Sequence, residues 1–170
     1  MSAAVRSANG LWRRTLLFAI LVPGTELVLF PFAVVYFDLG PRFDWGLARD
    51  VGFVPLLVGL VVILRCFVDF VRRGRGTPAI YEPPRELVVA GLYRYVRNPQ
   101  YVGVVSVIVG EALLTGMVVL FVYAILIAVG YHLFVTYYEE PTLSRLFGES
   151  YARYRETVPR WLPQIRRSGG

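Results

Sequence analysis

The feature that most constrains this chain is an unbroken apolar block from Tyr101 to Tyr138. About 20 apolar residues suffice for one helix to cross a bilayer, so the block is far too long for a single span. Thr115-Gly116, near its middle, supplies the natural turn. The sequence therefore predicts a tight hairpin of two helices, with membrane spans at 101–115 and 117–138.

Two more apolar stretches of membrane length precede the hairpin, at 16–37 and 51–71. The first is interrupted by Pro23-Gly24. Apolar residues make up 56% of the chain, a share typical of a membrane protein rather than a soluble domain. We therefore predict an all-α fold, a polytopic transmembrane helical bundle of about four spans, in one membrane domain that covers residues 1–170.

Charged side chains fall inside these predicted spans. Arg65 and Asp69 are spaced i, i+4, which favours a neutralising ion pair in the second span. Glu26 lies in the first span and Glu111 in the third, where an acid usually marks a buried partner or a ligand path. The third span also carries small residues that permit close packing of another helix, namely Gly103, Ser106 and Gly110.

The arginines orient the bundle, since the chain contains no lysine. Fifteen of them precede the first span, separate the second from the third, or follow the fourth, whereas only Arg42 and Arg49 follow the first span. The positive-inside rule then places both termini and segment 72–100 on the cytoplasmic side. Arginines distributed between apolar runs favour lipid headgroups as partners and argue against nucleic acid.

Two cytoplasmic segments remain, at 72–100 and 139–163. Glycines and prolines exclude one long helix in the first segment. The second has apolar residues at helical spacing, with charged residues mostly on the other face, and predicts an amphipathic cytoplasmic helix on the membrane surface that ends before Pro159. Neither segment suits a nucleotide-binding α/β domain. A single cysteine, Cys66, and a single histidine, His132, predict no metal site.

Polar residues converge where these segments meet the span ends. His132, Thr136, Glu139 and Glu140 lie at i, i+4, i+7 and i+8, so they share a helix face that leads to the cytoplasmic side, although a carboxylate pair there is also typical of a solvated boundary. The stretch "GLYRYVRNPQYVGVV" at 91–105 adds tyrosines, two arginines and an Asn-Pro helix entry. Its arginines and rings also suit interfacial anchors. Together they predict a pocket for a charged, flat, amphiphilic cofactor and a lipid substrate.

"GLYRYVRNPQYVG", then a helical hairpin, then "YYEEPTLSRLFGESYARYRETVPRWLP" resembles the integral-membrane isoprenylcysteine carboxyl methyltransferases and their relatives, the phospholipid N-methyltransferases. The resemblance covers roughly residues 74–163 and suggests a bacterial-type member in the inner membrane. It implies S-adenosylmethionine bound at the cytoplasmic side, with Glu140 as a candidate general base for an amine acceptor and Arg97 as a second candidate catalytic residue. The implied cofactor contacts are Leu87, Val88, Tyr93, Asn98, Pro99, Gln100, Tyr101 and Glu139.

The chain departs from the family pattern at Asn98, where many members have histidine, and at Val135, where the eukaryotic prenylcysteine enzymes have an arginine that contacts substrate. The resemblance therefore predicts methyl transfer to a lipophilic carboxylate, thiol or amine without choosing among them, and it leaves the oligomeric state open. Two other hypotheses remain. One is a membrane reductase of the sterol-reductase type that uses NADPH. The other is a non-catalytic subunit or transporter with a path along Arg65, Glu111, His132 and Glu139.

Overall fold

The computed structural model describes residues 23–69, 87 and 89–163, and every regular element within them is helical. The one pairing of β type in these ranges is an isolated bridge between Arg42 and Met117. The all-α prediction is confirmed. Residues 16–22 and 70–71 of the predicted first and second spans lie outside the described residues, as does most of segment 72–100.

Five α-helices organise the described chain. Helix α1 (Phe30–Tyr36) continues a π-helical turn at Thr25–Leu29, and helix α2 (Phe53–Asp69) follows a 3-10 turn at Gly46–Gly52. Helices α3 (Pro99–Thr115) and α4 (Val118–Phe134) form the hairpin, and a π-helical turn at Val135–Glu139 joins α4 to α5 (Glu140–Thr157). Two continuous helical runs, Gly46–Asp69 and Val118–Thr157, are long and apolar enough to cross a membrane, and two shorter ones are apolar, which fits a helical membrane bundle.

The hairpin turns at Gly116. This residue has φ 69° and ends α3, and its N–H donates to the carbonyl of Ala112 at 2.8 Å. Any Cβ at this position would overlap the backbone of Phe43, whose own N–H donates to the carbonyl of Gly116 at 2.8 Å. The loop between α1 and α2 is thus bonded to the hairpin turn, which fixes the end of the bundle opposite the candidate site.

Glycines bring α2 and α3 into backbone contact. A Cβ on Gly59 would lie 2.5 Å from the carbonyl oxygen of Gly103, and one on Gly110 would lie 2.6 Å from Cβ of Leu56. Gly103 and Gly110 therefore pack as the sequence indicates. Ser106 lines an apolar groove, and its hydroxyl donates within α3 to the carbonyl of Val102 at 2.8 Å.

One local expectation needs correction. Arg65 is exposed, whereas Asp69 is 5% exposed and its Oδ2 has no hydrogen-bond partner among the described residues, so the expected ion pair between them does not form. Pro23 and Gly24 are themselves helical. The predicted amphipathic helix is present as α5, which continues α4 through the π-helical turn and bends at Gly148, whose φ is 50°.

Candidate functional site

Two helical segments of this bundle contain π-helical turns, and each turn carries a carboxylate. Glu26 lies in the turn at Thr25–Leu29 and Glu139 in the turn at Val135–Glu139. A proline follows each turn by two residues, Pro31 and Pro141. Proline has no N–H and its ring collides with the carbonyl four residues earlier, so a regular α-helix cannot run through it. The wider π turn accommodates the proline and rotates the residues before it relative to an ideal helix.

Glu140 is a buried carboxylate at the centre of a cluster of arginines. Its Oε1 accepts from Arg97 Nη1 at 2.9 Å and from Arg160 Nε at 2.8 Å, and its Oε2 accepts from Arg160 Nη2 at 3.0 Å. Arg155 approaches the same Oε2 at 3.9 Å. The side chains of Glu140 and Arg97 are 7% and 10% exposed, so this pair is desolvated. The hydrogen bond to Glu140 raises the pKa of Arg160 above its usual range.

The residues 158–161, here called the C-terminal strap, fasten across the start of α3. The carbonyl of Pro159 accepts from the backbone N–H of Arg97 at 2.9 Å, and the carbonyl of Arg160 accepts from Asn98 Nδ2 at 3.1 Å. Trp161 Nε1 donates to His132 Nδ1 at 3.3 Å. The strap thereby joins the segment before α3, the α4–α5 junction and the C-terminal half of α4.

Glu139 lies beside Glu140 but has a different partner. The hydroxyl of Tyr101 donates to Glu139 Oε2 at 2.9 Å, and the Tyr101 ring stands 4.4 Å from the ring of Tyr131. Glu139 is the first residue past the predicted span 117–138, and burial raises the pKa of its carboxyl, an effect that the Tyr101 hydrogen bond opposes. Glu139 is therefore a desolvated carboxylate next to the first turn of α3, where helix N–H groups lack intrahelical partners.

The other predicted contacts surround this pair with mixed roles. Tyr93 is 7% exposed, and burial raises the pKa of its phenol well above its usual range; its carbonyl accepts from Tyr154 at 2.7 Å. Asn98 uses its side chain on the strap, and Pro99 begins α3. Leu87 packs against Tyr151 and Tyr154 of α5 and against Val158 of the C-terminal strap. Gln100 is partly buried in the first turn of α3, and Val88 lies outside the described residues.

An apolar groove runs between α3 and α4 from the site towards the opposite end of the bundle. Its cavity volume is about 510 Å³. Its end at the site is lined by Tyr101, Tyr131, His132 and Trp161, and valines of α3 and α4 line most of the remainder. The groove thus begins at the ring that bonds Glu139. A cavity of this size and lining suits a lipid chain or another apolar group.

Some residues of the site have no place in the sequence-based hypothesis. Arg155, Arg160, Tyr131 and Tyr154 all contact residues of the site. On the helix face predicted to run from His132 to Glu140, His132 accepts from Trp161, Glu139 from Tyr101 and Glu140 from arginines, and a π-helical turn lies between His132 and Glu140. The sequence signal that a regular helix is disturbed here is the proline within an apolar helix, as in "YYEEP". Arg65, Glu111, His132 and Glu139 have separate surroundings in the described chain: Arg65 is exposed, and His132 pairs with Trp161.

Comparison with known proteins places most of this architecture in one family. The family model of phospholipid methyltransferases matches residues 48–150. The chain is 38% identical over 82 residues to protein-S-isoprenylcysteine O-methyltransferase of Schizosaccharomyces pombe, a match that covers 46% of this chain and 34% of that protein. It is 28% identical over 154 residues to protein-S-isoprenylcysteine O-methyltransferase A of Arabidopsis thaliana, covering 88% of this chain and 72% of that protein. No solved structure matches the chain.

Proposed function

The chain belongs to the phospholipid methyltransferase family, and on that premise we propose that it transfers a methyl group from S-adenosylmethionine to a lipophilic acceptor at the cytoplasmic face of a membrane. The observation that carries this proposal is the partly buried Glu139, held by Tyr101 at the first turn of α3 and near the polar end of the apolar groove. A cationic cofactor and an apolar acceptor then meet at one point.

The residues present fit this cofactor. Its ammonium group suits Glu139 as a charge-assisted partner, and its carboxylate suits Arg97, whose Nε is buried without a hydrogen-bond partner. The rings of Tyr93 and Tyr101 suit its cationic sulfonium. When bound, the cofactor supplies an electrophilic methyl group. The protein contributes orientation of the two reactants and exclusion of water, which are the main requirements of an in-line displacement.

Glu140 receives a positioning role in this proposal rather than the role of general base. Both of its oxygens already accept from guanidinium groups, so a proton taken from an amine acceptor would have to displace these bonds. Its contacts instead hold Arg97 in place and tie the C-terminal strap to α5. A carboxylate or thiolate acceptor requires no base, which fits a site whose two carboxylates already have these partners.

The groove supports a lipophilic acceptor that enters from the side of the bundle. Its walls are apolar along α3 and α4, and polar atoms concentrate at the end near Tyr101, His132 and Trp161. A lipid chain in the groove would place its polar end against Glu139 and Tyr101. The arginine distribution supports a cytoplasmic position for this end, with both chain termini on the same side of a bacterial inner membrane.

The test is calorimetric binding of S-adenosylhomocysteine, the demethylated product, to the detergent-purified chain, with NADPH as a parallel ligand. We expect the sulfur ligand alone to bind, and Glu139→Gln to weaken it by about 1.5–3 kcal/mol, the scale of a hydrogen bond to a charged group. Glu149→Gln is the matched control, because the side chain of Glu149 is 93% exposed on α5.

The pH dependence gives a second readout of the same carboxylate. Glu139 must be ionised to hold an ammonium group, and burial raises its pKa from the ordinary value of 4.5. Affinity for S-adenosylhomocysteine should therefore increase as the pH rises through this raised pKa, and the Glu139→Gln variant should lack that rise. Unchanged affinity in Glu139→Gln would refute the site assignment, binding of NADPH alone would support the reductase hypothesis, and binding of neither by folded protein would favour a subunit or transporter.

A further inference from the structure

A second carboxylate, Glu26, is connected to the same site from outside the matched family segment. Glu26 precedes residue 48, where the family match begins. It is half-buried in the π-helical turn before α1, and its Oε2 accepts from the hydroxyl of Tyr131 at 2.5 Å. The hydroxyl of Tyr123 reaches the backbone carbonyl of Glu26 at 3.4 Å. Two tyrosines of α4 therefore hold this one residue of the first span.

The contact continues from Glu26 to the cofactor pocket through two stacked rings. Tyr131 donates to Glu26 with its hydroxyl and lies against Tyr101 with its ring, at 4.4 Å between centroids and 30° between planes. Tyr101 donates in turn to Glu139 at 2.9 Å. Each tyrosine hydroxyl thus ends on a carboxylate, so neither ring rotates freely while both hydrogen bonds persist.

The backbone supports the same connection. Glu26 and Glu139 each lie in a π-helical turn that a proline follows by two residues. Such turns are rare and are found frequently at functional sites, because they aim side chains that a regular helix would direct elsewhere. In this chain the two turns aim their carboxylates at the two ends of a single tyrosine pair.

We propose that Glu26 is a positioning residue of the methyltransferase site, which fixes Tyr131 so that the ring and hydroxyl of Tyr101 orient Glu139 towards the cofactor's ammonium group. The inference rests on the proposed function, because it assigns the same Glu139 to cofactor binding. It adds the first span to the site, although the family match does not include that span. Glu26 touches neither cofactor nor acceptor in this role.

The experiment compares S-adenosylhomocysteine affinity in Glu26→Leu, Glu26→Gln and Tyr131→Phe by calorimetry on the full chain in detergent. Glu26→Leu removes the acceptor of the Tyr131 hydroxyl, and Tyr131→Phe removes the donor while it keeps the ring. Each should weaken binding roughly three- to tenfold, which is the change expected when one typical hydrogen bond is lost. Glu26→Gln keeps an acceptor oxygen and should bind within about twofold of wild type. Tyr123→Phe, which loses only a long bond to backbone, is the matched control and should not change affinity.

A double-mutant cycle separates positioning from general destabilisation. In a Tyr101→Phe background the hydroxyl that bonds Glu139 is absent, so Glu26→Leu should cause no further loss if it acts through Tyr101. Additive losses in that background, or wild-type affinity in both Glu26→Leu and Tyr131→Phe, would overturn the inference. Should Glu26→Leu fail to fold, Tyr131→Phe decides alone. Failure of wild-type protein to bind S-adenosylhomocysteine would instead refute the proposed function.

Discussion

Helix α3 meets α2 through backbone and α4 through side chains. On the α2 side, Gly59 and Gly103 leave no space for a Cβ, and the two helices touch along their main chains. On the α4 side, the rings of Tyr101 and Tyr131 stand between the helices and the apolar groove opens beside them. At its glycines the contact with α2 is closed by backbone and apolar side chains, whereas the side towards α4 contains the carboxylate Glu139 and the cavity.

This difference separates support from chemistry. Helix α3 carries Tyr101 at its first turn, and a backbone contact with α2 holds that turn with little freedom to shift. The contact with α4 has spare volume that an acceptor can occupy without moving α3. The end of α3 that carries Tyr101 then needs additional contacts to hold it, because the groove separates α3 from α4 there. The Glu140 cluster and the C-terminal strap provide it.

The largest effect should come from breaking that fastening. Glu140→Leu leaves Arg97, which is 10% exposed, without the carboxylate that neutralises it. Removing one partner of a buried ion pair costs about 3–5 kcal/mol, since the other charge stays desolvated. Chemical denaturation in mixed micelles should show a loss of that size.

Glu149→Leu serves as the control for the Glu140 change. The side chain of Glu149 is 93% exposed and lies 3.7 Å from that of Arg153, which is 72% exposed, and exposed pairs contribute about 0–1 kcal/mol. Equal stability of the two leucine variants would mean that water reaches the Glu140 cluster in the folded protein and that the strap is held by other contacts.

A smaller loss of stability should follow when a methyl group is added to the contact between α2 and α3. Gly59→Ala places a methyl group 2.5 Å from the carbonyl oxygen of Gly103, which belongs to a helix backbone that cannot move aside locally. Overpacking of this kind costs about 1–3 kcal/mol. Thermal unfolding of detergent-purified protein measures the loss.

Gly130→Ala is the matched change for Gly59→Ala on α4. A Cβ on Gly130 would meet nothing within 4 Å, and alanine is the better helix former, so stability should stay the same or rise by up to about 1 kcal/mol. If the two alanine variants had the same thermal stability, the backbone contact between α2 and α3 would not be a rigid support for the first turn of α3.

The sequence predicts the contact of α3 with α2 better than the contact of α3 with α4. Apolar length, Gly116 and the spacing of Gly103 and Gly110 follow from hydropathy and residue size, which are local properties. The sequence places Tyr101 and Glu139 in one site only because the two separated segments that carry them together resemble one family. The bidentate bond from Arg160 to Glu140 depends on the direction that the chain takes after Pro159, which no local pattern specifies.

The phase of helix α4 shows the same limit. A regular helix places His132 on one face with Glu139 and Glu140, but a π-helical turn at Val135–Glu139 lies between them and changes their relative rotation about the helix axis. Proline in an apolar helix is visible in the sequence, but whether the chain kinks, ends or widens at it depends on the helices packed around it. The carboxylate positions therefore required the three-dimensional structure.

The smallest loss of stability tests which of two roles Trp161 has, an anchor at the lipid headgroups or a hydrogen-bond donor to His132. As a headgroup anchor it would depend on its ring alone, whereas in the structure its indole N–H also donates to His132 at 3.3 Å at the end of the groove. Trp161→Phe keeps a ring and removes this donor, so it should reduce stability by about 0.5–1.5 kcal/mol. A cycle with His132→Phe should show that the two losses are not additive. Additive losses would assign Trp161 to the lipid interface alone. The groove between α3 and α4 would then end at Tyr101 and Tyr131, with no hydrogen bond from the C-terminal strap across it.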